Sequence, residues 1–232
     1  MSIDSIAVLR RAEVYRLLAL CLDRPTQNTK ETIKDIGNGI QKNIGEPING
    51  DVLDCLNEVL LQVEQVPVSV WESEHNRMFV NEVFVPPSEG SYCLSERGAV
   101  VGDICGFYKA FHTQAVDQVG PPDQMKIELG FMCILAMKEA NAIHMLPDKI
   151  EITRSAEKAF FEDHLGRWSS LFSARLSNCS SLSVYRALAR LLLVWFKCEC
   201  TYWNVVPTAY PETITPLEEG QVQCPFSNDC LQ

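Results

Sequence analysis

The chain has 232 residues, of which 47% are hydrophobic and 22% charged, and its formal net charge is -10 at pH 7. This composition excludes an intrinsically disordered chain, and the acidic balance argues against nucleic-acid binding, which relies on Lys and Arg to neutralise phosphates. The acidic charge suits a basic partner such as an arginine-containing peptide, or serves only to keep the protein in solution. The most apolar run, residues 191–196, is far shorter than the roughly 20 residues of a membrane span, so we expect no membrane insertion.

The N-terminal region contains an arginine pair, Arg10 and Arg11, followed by an apolar stretch. Glu13 and Arg16 interrupt that stretch and no small-residue cleavage site follows, which argues against a twin-arginine export signal. Instead, its apolar residues have the i, i+3, i+4, i+7 spacing of a buried helix face. These residues are Val14, Leu17, Leu18 and Cys21. We therefore expect the first helix of the fold here, in a protein that stays in the cytoplasm.

The next region is a weak segment followed by two helices. Residues 26–50 are rich in glycine and poor in apolar side chains, which predicts a loop or a short, poorly packed helix. Residues 51–66 regain the helical spacing, and Pro67 ends that helix. Ser69 is a candidate N-cap for a further helix. The apolar and aromatic positions of that helix are Trp71, His75, Met78 and Phe79.

Proline-marked turns and four more helical patterns follow. Pro86, Pro87 and Gly90 break the chain, and Asp123 is a candidate N-cap after a second turn that begins at Gly120. The apolar faces on either side of that second turn are Val101, Ile104, Cys105 and Tyr108, and then Met125, Leu129, Met132, Cys133 and Ala136. The last two are Phe161, Leu165, Trp168 and Phe172, and then Val184, Leu188, Leu191, Leu192 and Trp195.

These patterns predict an all-α, single-domain bundle of many helices, because no segment shows a convincing strand alternation. We assign residues 1–205 to the helical domain. Residues 206–232, rich in Pro, Thr and Glu and without periodicity, are expected to form an extended or partly mobile tail.

Motifs for catalysis and cofactor binding are missing from the sequence. There is no phosphate-binding glycine loop and no nucleophile elbow, and no two histidines lie three or four residues apart on a helix. We therefore expect neither an enzyme nor a bound cofactor or metal. His164 is interpreted as a packed or helix-surface imidazole, although a functional role stays open.

The ten cysteines leave one alternative open. Cys21, Cys55, Cys105 and Cys133 lie on predicted apolar faces, where a free thiol acts as a small hydrophobe. Four late thiols have spacings that are not typical of metal sites, so unligated thiols are favoured. The alternative is a metal-binding or redox protein that uses these four: Cys198, Cys200, Cys224 and Cys230.

Two segments stand out as a candidate binding surface. We name residues 86–92 (PPSEGSY) the first proline segment and residues 121–132 (PPDQMKIELGFM) the second proline segment. A rigid Pro-Pro turn followed by glycine would present Glu89 and Tyr92, an acid and an aromatic suited to an arginine-containing peptide. The other interpretation is an ordinary interhelical turn with a packed tyrosine.

The chain resembles the TorD/DmsD/NarJ group of cytoplasmic chaperones for molybdopterin-dependent oxidoreductases. The group's P-P-Y-E-S-V-Y-like and P-D-H-L-x-x-E-L-x-F-M segments match at Pro86, Pro87, Glu89, Tyr92, Pro122, Asp123, Glu128, Leu129, Phe131 and Met132. Gln124 and Met125 replace the histidine and leucine of the second motif. Two looser motifs match at Arg11, Tyr15, Leu17, Leu18 and Ala19, and at His164, Leu165, Trp168 and Phe172. The resemblance extends over residues 6–196.

This resemblance implies a TorD-like fold and a protein that holds an apo catalytic subunit, its client, until cofactor insertion, assembly and export. The chaperone would bind the client's twin-arginine signal peptide or the client body, as a monomer or a dimer, and some members bind guanine nucleotides weakly. The implied groove and its acidic contacts comprise Trp71, Phe79, Pro87, Glu89, Tyr92, Asp123, Gln124, Glu128 and Met132. Gln124 keeps hydrogen-bonding capacity but lacks the titratable imidazole of the family motif.

Overall fold

The computed structural model describes residues 5–93, 97–113 and 120–211, and these are helical with no β-strand. The prediction of an all-α fold is confirmed. The α-helices of the described residues are α1 (Ser5–Cys21), α2 (Gln27–Lys42), α3 (Gly50–Gln65), α4 (Val68–Asn76), α5 (Arg97–Ala110), α6 (Met125–Met145), α7 (Ile150–Phe160), α8 (Gly166–Cys179) and α9 (Ser183–Trp203). Short π-helical turns (Arg77–Asn81 and Phe161–Leu165) continue α4 and join α7 to α8.

One apolar core joins these helices. Helix α1 packs along α6, and α9 packs against both α3 and α8. The apolar faces predicted for α1, α3, α6, α8 and α9 are buried, and the largest enclosed side chains are Trp71, Trp168 and Trp195. Burial of such faces is the main favourable term in folding, so the 3.6-residue spacing in the sequence located most of the core correctly.

Helix α2 corrects the expectation of a loop or short helix over residues 26–50. Thr26 caps the helix by accepting a hydrogen bond from the Thr29 amide at 3.0 Å. Its buried face is Ile33, Ile36, Gly37 and Ile40. A Cβ on Gly37 would collide with Leu60 of α3, so this glycine permits close helix packing and does not interrupt the helix.

Three smaller expectations were also wrong. Pro67 and not Ser69 precedes α4, because the helix begins at Val68. The Asp123 side chain does not cap α6; it accepts a hydrogen bond from the Gly90 amide instead. Cys105 is exposed, since α5 buries Val100 and Ile104 and so turns a neighbouring face to the core.

A buried ionic cluster ties α1 to three other helices. Arg11 forms two hydrogen bonds with the Glu199 carboxylate, at 2.9 and 2.8 Å, and Tyr15 donates to the same group at 2.7 Å. The Glu157 carboxylate lies 2.8 Å from Arg11 Nη1 and forms an ion pair with it, without a hydrogen bond. Glu139 lies 3.6 Å away. Arg11 and Tyr15 of the N-terminal motif thus act inside the fold, as anchors for α6, α7 and α9.

The chain turns back after α9. Asn204 adopts a left-handed conformation with φ 50°, and residues 205–211 run without helical structure along the start of α8. Val205 and Tyr210 are buried. Within residues 206–211 of the predicted tail, Tyr210 is anchored in the domain while most of the other residues are exposed, and residues 212–232 lie outside the described part of the chain. No helix in the described ranges is long and apolar enough to cross a membrane.

Candidate functional site

The first and second proline segments lie side by side, although about thirty residues separate them in sequence. Ser88 and Gln124 form an isolated antiparallel bridge. The Glu89 amide donates to the Asp123 carbonyl at 2.7 Å, and the Met125 amide donates to the Pro87 carbonyl at 2.8 Å. Backbone pairing therefore makes the two segments one structural unit.

Side chains fix the shape of both turns. Tyr92 donates its hydroxyl to the Pro86 carbonyl at 2.9 Å, and Tyr108 of α5 donates to the Pro122 carbonyl at 2.8 Å. The Gly90 amide donates to Asp123 Oδ2 at 3.2 Å, and a Cβ on Gly90 would collide with the Arg97 side chain. A larger residue at position 90 would therefore displace the Arg97 side chain, which is paired with Asp123.

Behind these turns lies a buried polar cluster centred on Glu89. Its carboxylate accepts a hydrogen bond from Tyr210 at 2.5 Å and lies 3.2 Å from Nδ1 of His164. The other nitrogen of His164 lies 3.1 Å from Asp103. Burial lowers the pKa of His164, but the hydrogen bond and charge of Glu89, together with Asp103, shift it upward overall. The two neighbouring carboxylates therefore stabilise the charged form of this imidazole.

Glu128 lies beside this cluster and is completely buried. Burial raises its pKa well above the ordinary value, and the charge of Glu89 raises it further. Trp168 acts against this shift by donating its indole N–H to Glu128 at 3.1 Å. The fold therefore stabilises the protonated form of Glu128. Asp123, also buried, has the guanidinium of Arg97 at 3.4 Å.

A cleft of about 190 Å³ opens on the outer side of the paired segments. Its lining comprises Leu22, His75, Phe79, Val80, Pro87, Gln124, Met125, Lys126 and Phe172. Burial, followed by the charge of Lys126, lowers the pKa of His75 to about 4, so this imidazole is neutral at pH 7. Lys126 is paired with Asp23 at 2.7 Å. The cleft thus offers apolar and neutral polar surface, with its one lysine already partnered.

Irregular backbone occurs next to the cleft. The π-helical turn Arg77–Asn81 carries Phe79 and Val80 to the cleft. Beyond it, Val83 has φ 51°, a conformation that a β-branched residue rarely adopts. Val80 is 58% exposed, and Val83 and Phe84 are each 39% exposed. Strain and exposed apolar side chains beside a cleft are typical of a binding site.

The structure divides the nine predicted site residues into two groups. Phe79, Pro87 and Gln124 line the cleft. The other six are buried: Trp71, Glu89, Tyr92, Asp123, Glu128 and Met132. The expectation that they face outward was wrong, because the three acids have partners inside the fold and the three apolar residues belong to the core. The burial of Asp123 also means that reversing its charge would disrupt the turns before it tested any client contact.

Several residues of this region were missed in the sequence. Val80 and Lys126 lie at the cleft, and Asp103, Arg97 and Tyr210 complete the buried cluster. For Val80 the sequence carried only a weak signal, its position next to Phe79. The π-helical turn that contains both residues shifts the exposed face of the helix. For the other residues the signal is absent, because their partners are remote in sequence.

The late cysteines form no metal site among the described residues, where no cluster of three or more candidate ligands occurs. Cys198 and Cys200 are partly buried free thiols, and burial raises the pKa of each. A raised thiol pKa disfavours the thiolate that binds metals. Cys224 and Cys230 lie outside the described residues.

The chain is similar to known proteins in both sequence and fold. The sequence model of a family described as "Nitrate reductase delta subunit" matches residues 48–174, more than half of the chain. A similar solved structure is that of a candidate redox enzyme maturation protein from Archaeoglobus fulgidus, with a TM-score of 0.56 and 20% identity. The match covers 80% of this chain and 93% of that chain. No curated protein matches the sequence.

Proposed function

The chain belongs to the nitrate reductase delta subunit family, and we propose that it is a molybdoenzyme maturation chaperone. In this role it holds the apo catalytic subunit of a molybdopterin-dependent oxidoreductase. Holding would last until the cofactor is inserted and the enzyme is assembled. The proposed action is binding without covalent chemistry.

The cleft beside the paired proline segments carries this proposal. Both segments lie inside the matched residues 48–174, and they meet in space at the cleft. Val80 of the lining is exposed, and the strained residue Val83 follows it three positions along the chain. Buried polar groups hold both turns in place in the unbound chain.

The chemistry of the lining indicates which part of the client binds. None of the cleft-lining residues carries a carboxylate, and the imidazole of His75 is neutral. An apolar side chain fits the space next to Phe79, and the exposed side chain of Val80 extends the contact outward. We therefore assign the site to an apolar stretch of the client, either in the signal peptide or in the client body. Gln124 is available for a hydrogen bond to the client backbone.

Maturation in cells tests this function. The oxidoreductase subunit is first identified by its recovery with the tagged wild-type chain. In cells that lack the chain, the molybdenum content of that subunit should fall, and the wild-type chain should restore it. Val80→Asp places a charge at the cleft rim and should fail to restore it. The matched control is Ile152→Asp, because Ile152 is similarly exposed at 60% and lies beyond the far end of α6.

Full restoration by Val80→Asp would contradict the proposed site. An unchanged molybdenum content in cells without the chain would contradict the proposed function. Both variants change exposed side chains, so circular dichroism and the free energy of unfolding should match wild type.

A further inference from the structure

The non-helical residues 204–211, which we name the C-terminal strap, connect the end of α9 to the first proline segment. The strap turns back at Asn204, where the Val205 amide donates to the Cys200 carbonyl at 3.0 Å. Its only deeply buried side chain after Val205 is Tyr210, while Val206 is 90% exposed. The strap is therefore held by few contacts, and Tyr210 provides the innermost one.

The start of α8 positions Tyr210. Its amide donates to the Arg167 carbonyl at 3.0 Å, and Arg167 Nε donates to the Thr208 carbonyl at 3.1 Å. The guanidinium of Arg167 lies over the tyrosine ring, 4.2 Å from its centroid. Gly166 has no room for a Cβ, because Pro207 lies against it. This arrangement aims the tyrosine hydroxyl inward.

The hydroxyl of Tyr210 reaches Glu89, two residues from the cleft wall at Pro87. Glu89 accepts this hydrogen bond at 2.5 Å, and its other carboxylate oxygen contacts His164. Burial, together with the hydrogen bond and charge of Glu89, raises the pKa of the Tyr210 phenol. The hydroxyl thus stays a donor. This hydrogen bond ties the first proline segment to the C-terminal end of the described chain.

The cleft is small for the partner that it is proposed to receive. Its volume of about 190 Å³ is below the roughly 300–1,000 Å³ of typical ligand pockets. Phe79, Pro87 and Phe172 all line the cleft, so its enlargement at this wall requires Pro87 to move. Pro87 is bonded to Met125 and Glu89 to Asp123, so the paired segments would move as one unit. That unit cannot move far while Glu89 is held by Tyr210 and His164.

We propose that the C-terminal strap is a latch that holds the cleft closed through the Tyr210–Glu89 contact, and that a client must release it to enter. This inference rests on the proposed function only for the identity of what enters. Occupation of the cleft would then change the position of the strap. A chaperone with such a latch exposes less apolar surface when it is empty.

Hydrogen exchange in the full-length, unbound protein tests the latch. The Glu89, Gly90 and Tyr92 amides are hydrogen-bonded within the paired segments and report opening. Tyr210→Phe should accelerate their exchange about fivefold, the effect on an opening equilibrium of losing one net hydrogen bond. Arg167→Ala, which loosens the strap without touching Glu89, should act in the same direction. Val206→Ala, on the same strap but exposed, should leave exchange unchanged.

Binding of the apolar dye bis-ANS provides a second measurement that needs no client. Tyr210→Phe and Arg167→Ala should bind the dye several times more tightly than wild type or Val206→Ala. Unchanged exchange and dye binding in both strap variants, with native circular dichroism, would overturn the latch. Loss of molybdenum insertion upon removal of the chain is a separate result, so the latch and the proposed function fail independently.

Discussion

The ionic cluster around Arg11 predicts that stability falls as pH rises through neutrality. The cluster brings two arginines, Arg11 and Arg154, against three glutamates, Glu139, Glu157 and Glu199. Two cations balance only two carboxylates, so the third should be neutral. Burial raises the pKa of Glu157 to about 8, while the charge of Arg11 lowers it and that of Glu139 raises it.

The sign follows from proton binding. Between the unfolded pKa of about 4.5 and the folded pKa of about 8, folded Glu157 holds a proton that the unfolded chain has lost. Its contribution is therefore fully present below pH 4.5 and is lost as pH rises through 8. The limiting slope is about 1.4 kcal/mol per pH unit. Between pH 6.5 and 8, wild type should lose about 1.5 kcal/mol from this group.

Urea unfolding followed by tryptophan fluorescence at several pH values from 6.5 to 8 measures this loss. His75, with its lowered pKa of about 4, and His164, with its raised pKa, contribute the same slope in wild type and in the variants, so the difference between their slopes reports Glu157. Glu157→Gln imitates the protonated carboxyl and should remove the extra slope, whereas Glu151→Gln, exposed on the same helix, should keep it. Equal slopes in wild type and Glu157→Gln would refute the assignment of the buried proton.

Four further substitutions, two of them a matched glycine pair, test the packing and the site by urea unfolding. Gly37→Ala should lower the free energy of unfolding by roughly 1 kcal/mol because the new Cβ meets Leu60. Gly39→Ala, where the Cβ has open space, should raise the free energy of unfolding by about 0.5–1 kcal/mol. Equal effects of the two substitutions would contradict the close packing of α2. Val83→Gly should raise stability by roughly 1 kcal/mol by relieving φ 51°, and a loss would show that this conformation is unstrained. Lys126→Ala removes a partly exposed ion pair and should change stability by less than about 1 kcal/mol, so a larger loss would indicate a structural role for the lysine.

The helical core was accessible from sequence because apolar spacing reports burial directly. Helix α2 escaped because its buried face consists of three isoleucines and Gly37, and glycine usually signals a loop. Gly37 is useful in this helix because Leu60 of α3 approaches it closely. A pattern within one segment does not contain that information.

The sequence singled out the two proline segments but misjudged the exposure of their side chains. Both proline segments do meet at one cleft, yet Glu89 and Asp123 point inward. Acidic residues are rarely buried without partners, so their sequence neighbours favoured a surface position. The partners that reverse this, His164 and Tyr210, lie 75 and 121 residues from Glu89. Only the fold brings them together.

Site-specific photo-crosslinking tests the central claim, that an apolar stretch of the client binds at the cleft. A photoreactive residue at Val80, on the cleft rim, should capture the co-expressed oxidoreductase catalytic subunit before cofactor insertion. The same residue at Ile152 should not, because Ile152 follows the opposite end of α6, a helix of 21 residues and about 30 Å whose first residues line the cleft. Capture at Val80 that disappears once the subunit holds its cofactor is the predicted result. Equal capture at both positions, or capture at Ile152 alone, would contradict the account.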